Sequence, residues 1–318
     1  MLNIEPHAGP APIVRVINDA RHTVDLNVYY LSSRQILDAL RSATSRGVRV
    51  RVILDEKPDG MSGWKVRKEY AQAKATGAQV RWAPSRFEHI GNRWAFDHAK
   101  YVCNGQECEI GTANYDWSAF HRNREYLEVT RNPHVVQAAQ AVFSADWNNR
   151  RAPSWAHQVL VLSPGTSQAQ LIQVIDQSGP VDIESEELGD DRAILNVMAR
   201  KGRSLRLILP SSISPQDRKN AAWLVNRGVH VRLLPKRPLY LHAKMLVGNT
   251  TGFIGSENFS GPSLNDNREM GLILHGNNLI RLRQQFAVDW NHAVPLASGH
   301  NAYQSRRSSY QKWHHWEK

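Results

Sequence analysis

No apolar run in the sequence approaches the roughly 18 to 20 residues that a membrane-spanning helix needs, so a soluble chain is expected. The start, Met1-Leu2-Asn3-Ile4-Glu5, lacks a charged stretch followed by an apolar one, and no signal peptide is visible. That leaves the compartment open between the cytoplasm and export with a leader removed. Cysteine is nearly absent. The 2 cysteines, Cys103 and Cys108, flank Asn104-Gly105-Gln106-Glu107, a hairpin turn that sets them on facing strands. Two semi-buried thiols are the first expectation, and a pair in an oxidising compartment the second. Four-residue spacing with no second pair argues against zinc. Acidic residues are in deficit, 29 against 40 Lys and Arg, which gives a formal charge of +11 and a pI near 9.8. Such a balance suits nucleic acid or an anionic membrane surface, and charge alone does not choose between them. What is present in quantity is core: 41% of the 318 residues are hydrophobic, enough for one large domain or two moderate ones and too much for a disordered chain.

The chain repeats itself. Phe96-Asp97-His98-Ala99-Lys100, Gly111-Thr112-Ala113-Asn114 and Asn123-Arg124-Glu125 return as Leu241-His242-Ala243-Lys244, Gly255-Ser256-Glu257-Asn258 and Asn267-Arg268-Glu269, each later position 144 residues on without a gap. Duplication explains such a register, and coincidence does not.

The two halves also share an order of elements. In the first, helix 11–21, strand Thr23–Leu31, helix 33–46, strand Val48–Asp55, helix 62–76 and strand Ala78–Ala83 precede strands around His98, Ile110 and Tyr126–Thr130. A helix from Pro133 to near Trp147 follows. The second half gives helix 167–178, strand Val181–Leu188, helix 190–201, strand Leu205–Pro210, helix 215–227 and strand Val229–Pro235. It closes with strands around His242, Ile254 and Gly271–Leu274 and a helix from Asn277 to about Trp290. Strands alternating with helices imply two similar α/β sandwiches of mixed, mostly parallel sheet flanked by helices. The expected division is 1–150, 151–292 and a basic, aromatic extension 293–318, joined at the polar stretch 148–154. The extension carries Arg306, Arg307, Lys312, Trp313 and Trp316 and is expected to lie solvated or packed back on the surface.

Residues i and i+2 of a strand share a face, so His98 points with Lys100 and His242 with Lys244. Histidine attacks or protonates near neutral pH, and a neighbouring ammonium holds phosphate oxygens. Asn114 and Asn258 add neutral donors. Glu125 and Glu269, on later strands, each accept from a histidine ring nitrogen and fix its tautomer. Any one of these residues alone is an ordinary packed or surface side chain, whereas a duplicated set is not.

His-x-Lys followed by Gly-(Ser/Thr)-x-Asn and Asn-x-Glu, twice over residues 10–292, resembles the phospholipase D superfamily. The resemblance implies halves packed about a pseudo-twofold axis, with both motifs at their interface in a monomer that needs no second chain. One histidine attacks phosphorus and the other protonates the leaving alkoxide and then activates water or an alcohol. By analogy with two-motif members, His98 is the nucleophile and His242 the acid and base. No metal or cofactor is implied, and no carboxylate cluster suggests one. One departure stands out: the family continues Lys-x4-Asp, but Gly105 and Asn249 occupy those positions, preceded by Asn104 and Gly248.

Tyr29, Tyr30, Glu186 and Glu187 end the first strand of each half, where α/β folds open their clefts, and are candidates for a leaving-group pocket. Trp117 and Phe259 are expected to pack beneath the site or to line an acyl or base pocket. The resemblance spans lipid hydrolases, phosphatidyl transferases and nucleases. Phospholipid cleavage or transfer is the favoured expectation, from the likeness of Gly111–Phe120 and Gly255–Ser260 to cardiolipin-synthase-like proteins. Metal-independent cleavage of DNA or RNA is the alternative, on charge and the 10 tryptophans. A catalytically degenerate binding protein ranks last.

Overall fold

The computed structural model describes residues 1–90 and 93–296, so nearly all of the expected basic extension lies outside the described residues. Val24, Leu26 and Val28 alternate along strand Thr23–Val28, which pairs in parallel with Arg49–Leu54, itself parallel to Gln79–Trp82. Parallel neighbours need a crossover. Helix Arg34–Ser45 supplies one and buries Ile36, Leu37 and Leu40 as a stripe, and Gly63–Lys74 supplies the other. On the other side of Thr23–Val28 the sheet continues antiparallel through Lys100–Cys103, Cys108–Gly111, Tyr126–Thr130 and Leu2–Ile4, making seven strands.

The second half repeats this order around Val181–Ser185. Leu205–Pro210 and His230–Leu234 run parallel on one flank, and Lys244–Val247, Gly252–Gly255, Glu269–Leu274 and Val161–Ser163 run antiparallel on the other. Its eighth strand, Val294–Pro295, has no counterpart in the first sheet.

Three apolar clusters hold the molecule. One packs Ile13, Ile17, Ile36 and Leu40 on the outer face of the first sheet. Another packs Leu171, Ile175, Ile194 and Leu195 against the second. The third belongs to both halves, joining Ile110, Tyr126 and Phe143 to Met270, Leu282 and Phe286. It sits around helices Pro133–Trp147 and Asn277–His292, so each sheet is covered on one face by its own helices and on the other by a shared layer. Removing a large side chain from such a layer costs about 2–5 kcal/mol. Matching details recur at the edges of that layer. Arg51 pairs with Asp25 at 2.8 Å over Phe143 and Trp147, and Arg206 pairs with Asp182 at 2.7 Å over Phe286 and Trp290. Two similar α/β halves are what the repeat led one to expect, but the sheets are mostly antiparallel and not mostly parallel, because only the first three alternating strands of each half have helical crossovers and the later ones return antiparallel.

The halves also exchange backbone. Tyr240–Leu241 pairs in parallel with Asn123–Arg124, and Asp97 bridges Arg268. The buried guanidinium of Arg124 holds Asp289 at 2.6 and 3.0 Å, while Arg268 holds Asp146 at 2.8 and 3.0 Å. Each half thus contributes an arginine that pins the long helix of the other.

Several expectations need correction. The first strands stop at Val28 and Ser185, leaving Tyr29, Tyr30, Glu186 and Glu187 just past their ends. His98 and His242 do not lie within strands but two residues before Lys100–Cys103 and Lys244–Val247, because the segments preceding them are drawn across to the opposite half. Cys103 and Cys108 face each other in register and are joined as a disulfide, so the expectation of two thiols does not hold.

The departure at Lys-x4-Asp has a structural counterpart. Asn104 Oδ1 accepts from the backbone of Gln106 and Glu107 at 2.9 Å, and its amide donates to Val16 O at 2.9 Å, tying the hairpin turn to the first helix. In the second half Gln177, from the end of helix Ser167–Asp176, reaches the equivalent turn from the other side: its Oε1 accepts from Thr250 N and Thr251 N, and its Nε2 donates to Thr251 O at 3.1 Å. Both turns are closed by side-chain amides.

Candidate active site

A cleft of about 440 Å³ lies where the halves meet, lined by Tyr29, Tyr30, His98, Asn114, Glu186, Glu187, His242 and Asn258 among others. The crossed backbone explains the convergence. His98 N donates to Arg268 O at 2.9 Å, so the residue next along, Glu269, is delivered to the His98 ring, where Nδ1 meets Glu269 Oε2 at 3.0 Å and Ser256 O at 3.1 Å. With Nδ1–H committed there, Nε2 is the free nitrogen. His242 Nδ1 likewise lies 2.8 Å from Glu125 Oε1, though off the line of a regular hydrogen bond. The glutamates therefore serve the histidine of the other half.

Each glutamate is itself held. Asn123 Nδ2 donates to Glu125 at 3.0 Å and Thr112 Oγ1 at 2.6 Å, and Asn267 Nδ2 and Ser263 Oγ donate to Glu269 at 3.0 and 2.6 Å. The Asn-Arg-Glu repeat thus divides three tasks: asparagine orients the glutamate, arginine locks the halves, and glutamate crosses to a histidine. The arginine role was missed in the sequence, although Arg124 and Arg268 stand in the repeat and their register was the available signal.

Lys100 and Lys244 are fully buried and fold back on their own motifs, Nζ donating to His98 O at 2.5 Å and to His242 O at 2.7 Å. Buried ammonium groups are costly without a counter-charge. Burial, offset in part by Glu269, pulls Lys100 down to about 7. Burial also holds His98 neutral, down at about 4, against the pull of Glu269. Burial would raise Glu269, yet His98 and Lys100 keep its carboxyl below the ordinary range. Asn114 and Asn258 line the cleft, and their Nδ2 groups donate no hydrogen bond among the described residues, which leaves both donors available to an anion there.

The halves part company at one pair of positions. Tyr29 stands edge-on to His98 with ring centroids 4.8 Å apart, and Lys100 Nζ lies 5.3 Å from the centre of its ring. The corresponding strand-end residue of the second half is Glu186, whose Oε2 lies 2.8 Å from Lys244 Nζ and 3.4 Å from His242 Nε2. Burial alone would raise this carboxyl, but His242 and Lys244 bring it down to about 2.

Tyr30 and Glu187 also line the cleft. Trp117 does not: it begins helix Trp117–His121, stacks on His121 at 4.8 Å and is 53% exposed, so it neither packs beneath the site nor lines it. Its repeat position is Gly261. The counterpart of Phe259 is Tyr115, and these two are fully buried beneath the strand ends, bridging Leu188 and Leu31 respectively. Phe259 is therefore core and not a cleft residue. Among the described residues no group of three or more His, Cys, Asp or Glu is arranged to hold a metal, and no helix is long and apolar enough to cross a membrane.

Fold and site define a class: an internally duplicated α/β protein that brings a His and an Asn from each half to a common cleft, with a buried Lys folded behind each His and each His met by a Glu of the other half. The chain belongs to the phospholipase D superfamily, in the family described as cardiolipin synthase, PLD-like domain, whose model matches residues 13–147 and 171–290. Cardiolipin synthase of Listeria monocytogenes serotype 4a (strain HCC23) is 30% identical over 136 residues, and cardiolipin synthase A of Pseudomonas aeruginosa (strain LESB58) 29% over 138. Each match takes in 42% of this chain and 26% of the relative, about a quarter of the length of these curated proteins. Among solved structures, phosphatidylserine synthase of Haemophilus influenzae Rd KW20 has a TM-score of 0.71 over 93% of this chain and 87% of that chain at 11% identity. Polyphosphate kinase from Porphyromonas gingivalis has 0.67 over 97% and 55% at 14%. At such identities the likeness is one of fold.

Proposed function

We propose that the chain cleaves or transfers the headgroup of a phospholipid through a phosphohistidine on His98, with His242 as acid and base. The observation that carries this reading is the crossed His–Glu pairing at a cleft lined by two asparagine amides, with a buried lysine behind each histidine. His98 Nε2, neutral and unshared, attacks phosphorus in line, forming the N–P bond as the P–O bond to the headgroup breaks. His242 Nε2–H delivers its proton to the departing alkoxide. Water or a second alcohol then gives its proton to His242, bonds to phosphorus and expels His98. Lys100, Lys244, Asn114 and Asn258 hold the non-bridging oxygens. This chemistry draws on no metal.

The difference between Tyr29 and Glu186 supports this assignment of roles over the reverse. The Glu186 carboxylate, 3.4 Å from His242 Nε2, is placed to accept from an N–H there, whereas the ring edge of Tyr29 beside His98 offers no acceptor and leaves that nitrogen free to attack. Glu186 Oε2 bridges His242 and Lys244, as a substrate oxygen would. Phospholipid is favoured as substrate by relatives whose names are those of cardiolipin synthases.

Purified protein in EDTA is given phospholipid vesicles in one set of assays and plasmid or single-stranded DNA in another, with His98→Ala and His242→Ala as controls. Headgroup release that both substitutions abolish supports the proposal. DNA cleavage that both abolish makes the chain a nuclease, and no turnover of either substrate rejects an enzymatic role.

A further inference from the structure

The cleft continues past Glu186 into a second recess of about 380 Å³. The two share Glu186 and Glu187, and the recess is closed by Ser212, Ser214, Asp217 and Tyr240. Asp217 sits in the first turn of helix Pro215–Val225 and is 8% exposed. Its backbone N–H donates to Ser214 Oγ at 3.1 Å, but its carboxylate takes part in no hydrogen bond or ion pair among the described residues. A carboxylate this buried is normally paired. The helix start favours one negative charge there, and Glu187 adds a second carboxyl, while Glu186 is already paired with Lys244; no Lys, Arg or His lines the recess. Desolvation, reinforced by Glu186 and only partly offset by Lys244, pushes Glu187 up to about 7. The recess beyond Tyr30 differs in kind, mixing Lys65 and Lys68 with Glu69 and Asp116. The recess lined by acidic side chains without a basic one is the one beyond Glu186, on the side of His242.

We propose that this recess receives an alcohol bearing a primary ammonium, of the ethanolamine type, as leaving group or acceptor. Its hydroxyl oxygen lies toward His242 and its ammonium between Asp217 and Glu187. Carboxylates and serine hydroxyls suit a group with N–H donors. A quaternary ammonium would call for an aromatic cage, and Tyr240 is the one aromatic lining this recess among the described residues. The inference rests on the phosphodiester reading above and gives it a headgroup.

The test is calorimetric titration of the full chain carrying His98→Ala with phosphoethanolamine and with glycerol 3-phosphate, repeated after adding Asp217→Asn or Glu187→Gln. Phosphoethanolamine is expected to bind about tenfold more tightly than glycerol 3-phosphate, the scale of a charge-assisted hydrogen bond. Either added substitution should bring that ratio near one. Equal affinities in the parent, or a preference that survives both substitutions, would overturn the proposal. Glu187 is exposed at the rim, so its substitution decides the matter even if Asp217→Asn does not fold. Parallel turnover of phosphatidylethanolamine and phosphatidylglycerol vesicles by the unaltered chain keeps the two readings apart. Absence of turnover with a preserved binding ratio would fault the phosphodiester chemistry and leave the recess standing.

Discussion

The two histidines occupy equivalent places in a duplicated fold, and the scaffold around them is close to identical. Each follows a segment borrowed by the other half, each meets a glutamate from that half, and each has a lysine folded over its carbonyl. The difference nearest the histidine rings is Tyr29 against Glu186, followed by Tyr30 against Glu187. A neutral ring edge beside His98 and a carboxylate 3.4 Å from His242 Nε2 give two chemically equal groups unlike hydrogen-bonding surroundings. Duplication provides two copies of a constellation, and under the proposed mechanism the difference between Tyr29 and Glu186 is what divides the labour between them.

The sharpest way to break this comparison is to remove either histidine. His98→Ala and His242→Ala should each lower turnover of an ordinary alkyl headgroup by about 10⁴-fold or more, read as initial rate, since nucleophile and acid act as a unit. Glu186→Gln keeps the shape of the second half-site and removes its charge. It should lower kcat/KM by about 10²-fold, within the range set by general acid catalysis, while Tyr29→Phe should change it less than threefold. An equal loss in both would mean that the strand-end difference is incidental.

The lock between the halves is expected to be symmetric where the chemistry is not. Arg124→Ala and Arg268→Ala each strand a buried carboxylate and should each cost about 3–5 kcal/mol in chemical denaturation. A much smaller loss in one would show that the halves depend on each other unequally.

The pH profile sharpens the same contrast. His98 is neutral above about 4, and Lys100 gives up its proton as pH rises through about 7. Profiles of kcat/KM, which report the free protein, should therefore rise through about 4 and fall above about 7. Lys100→Arg, which cannot deprotonate in this range, should extend the upper limb. The smallest expected effect separates the two aromatic residues. Trp117→Ala should shift stability by no more than about 0.5 kcal/mol, against about 3–5 kcal/mol for Phe259→Ala.

Much of this was legible because the repeat is polar and in register. Six positions 144 residues apart imply two similar α/β halves and name the histidines, lysines, asparagines and glutamates that meet in the cleft. The same register, pressed further, aligns Trp117 with Gly261 and Phe259 with Tyr115, which would have removed Trp117 from the site. The crossing of Glu125 and Glu269 between halves was not legible. Spacing within a half says nothing of which histidine each glutamate reaches, and that follows from backbone pairing over more than 110 residues, Tyr240 to Asn123 and Asp97 to Arg268. The pairing of Cys103 with Cys108 was left open because a hairpin turn sets two cysteines opposite each other in either redox state.

The central claim is the division of roles, and it is tested most directly by trapping the intermediate. Bis-p-nitrophenyl phosphate carries a leaving group that departs without an acid. His242→Ala should therefore still form the N–P bond and then stall, for want of a base to activate water. Acid-free quenching and intact-mass spectrometry are predicted to show a stable phosphoryl adduct in His242→Ala, mapped to His98, and none in His98→Ala. An adduct on His242 in the His98→Ala protein would reverse the assignment, and no adduct in either would contradict the phosphohistidine route itself.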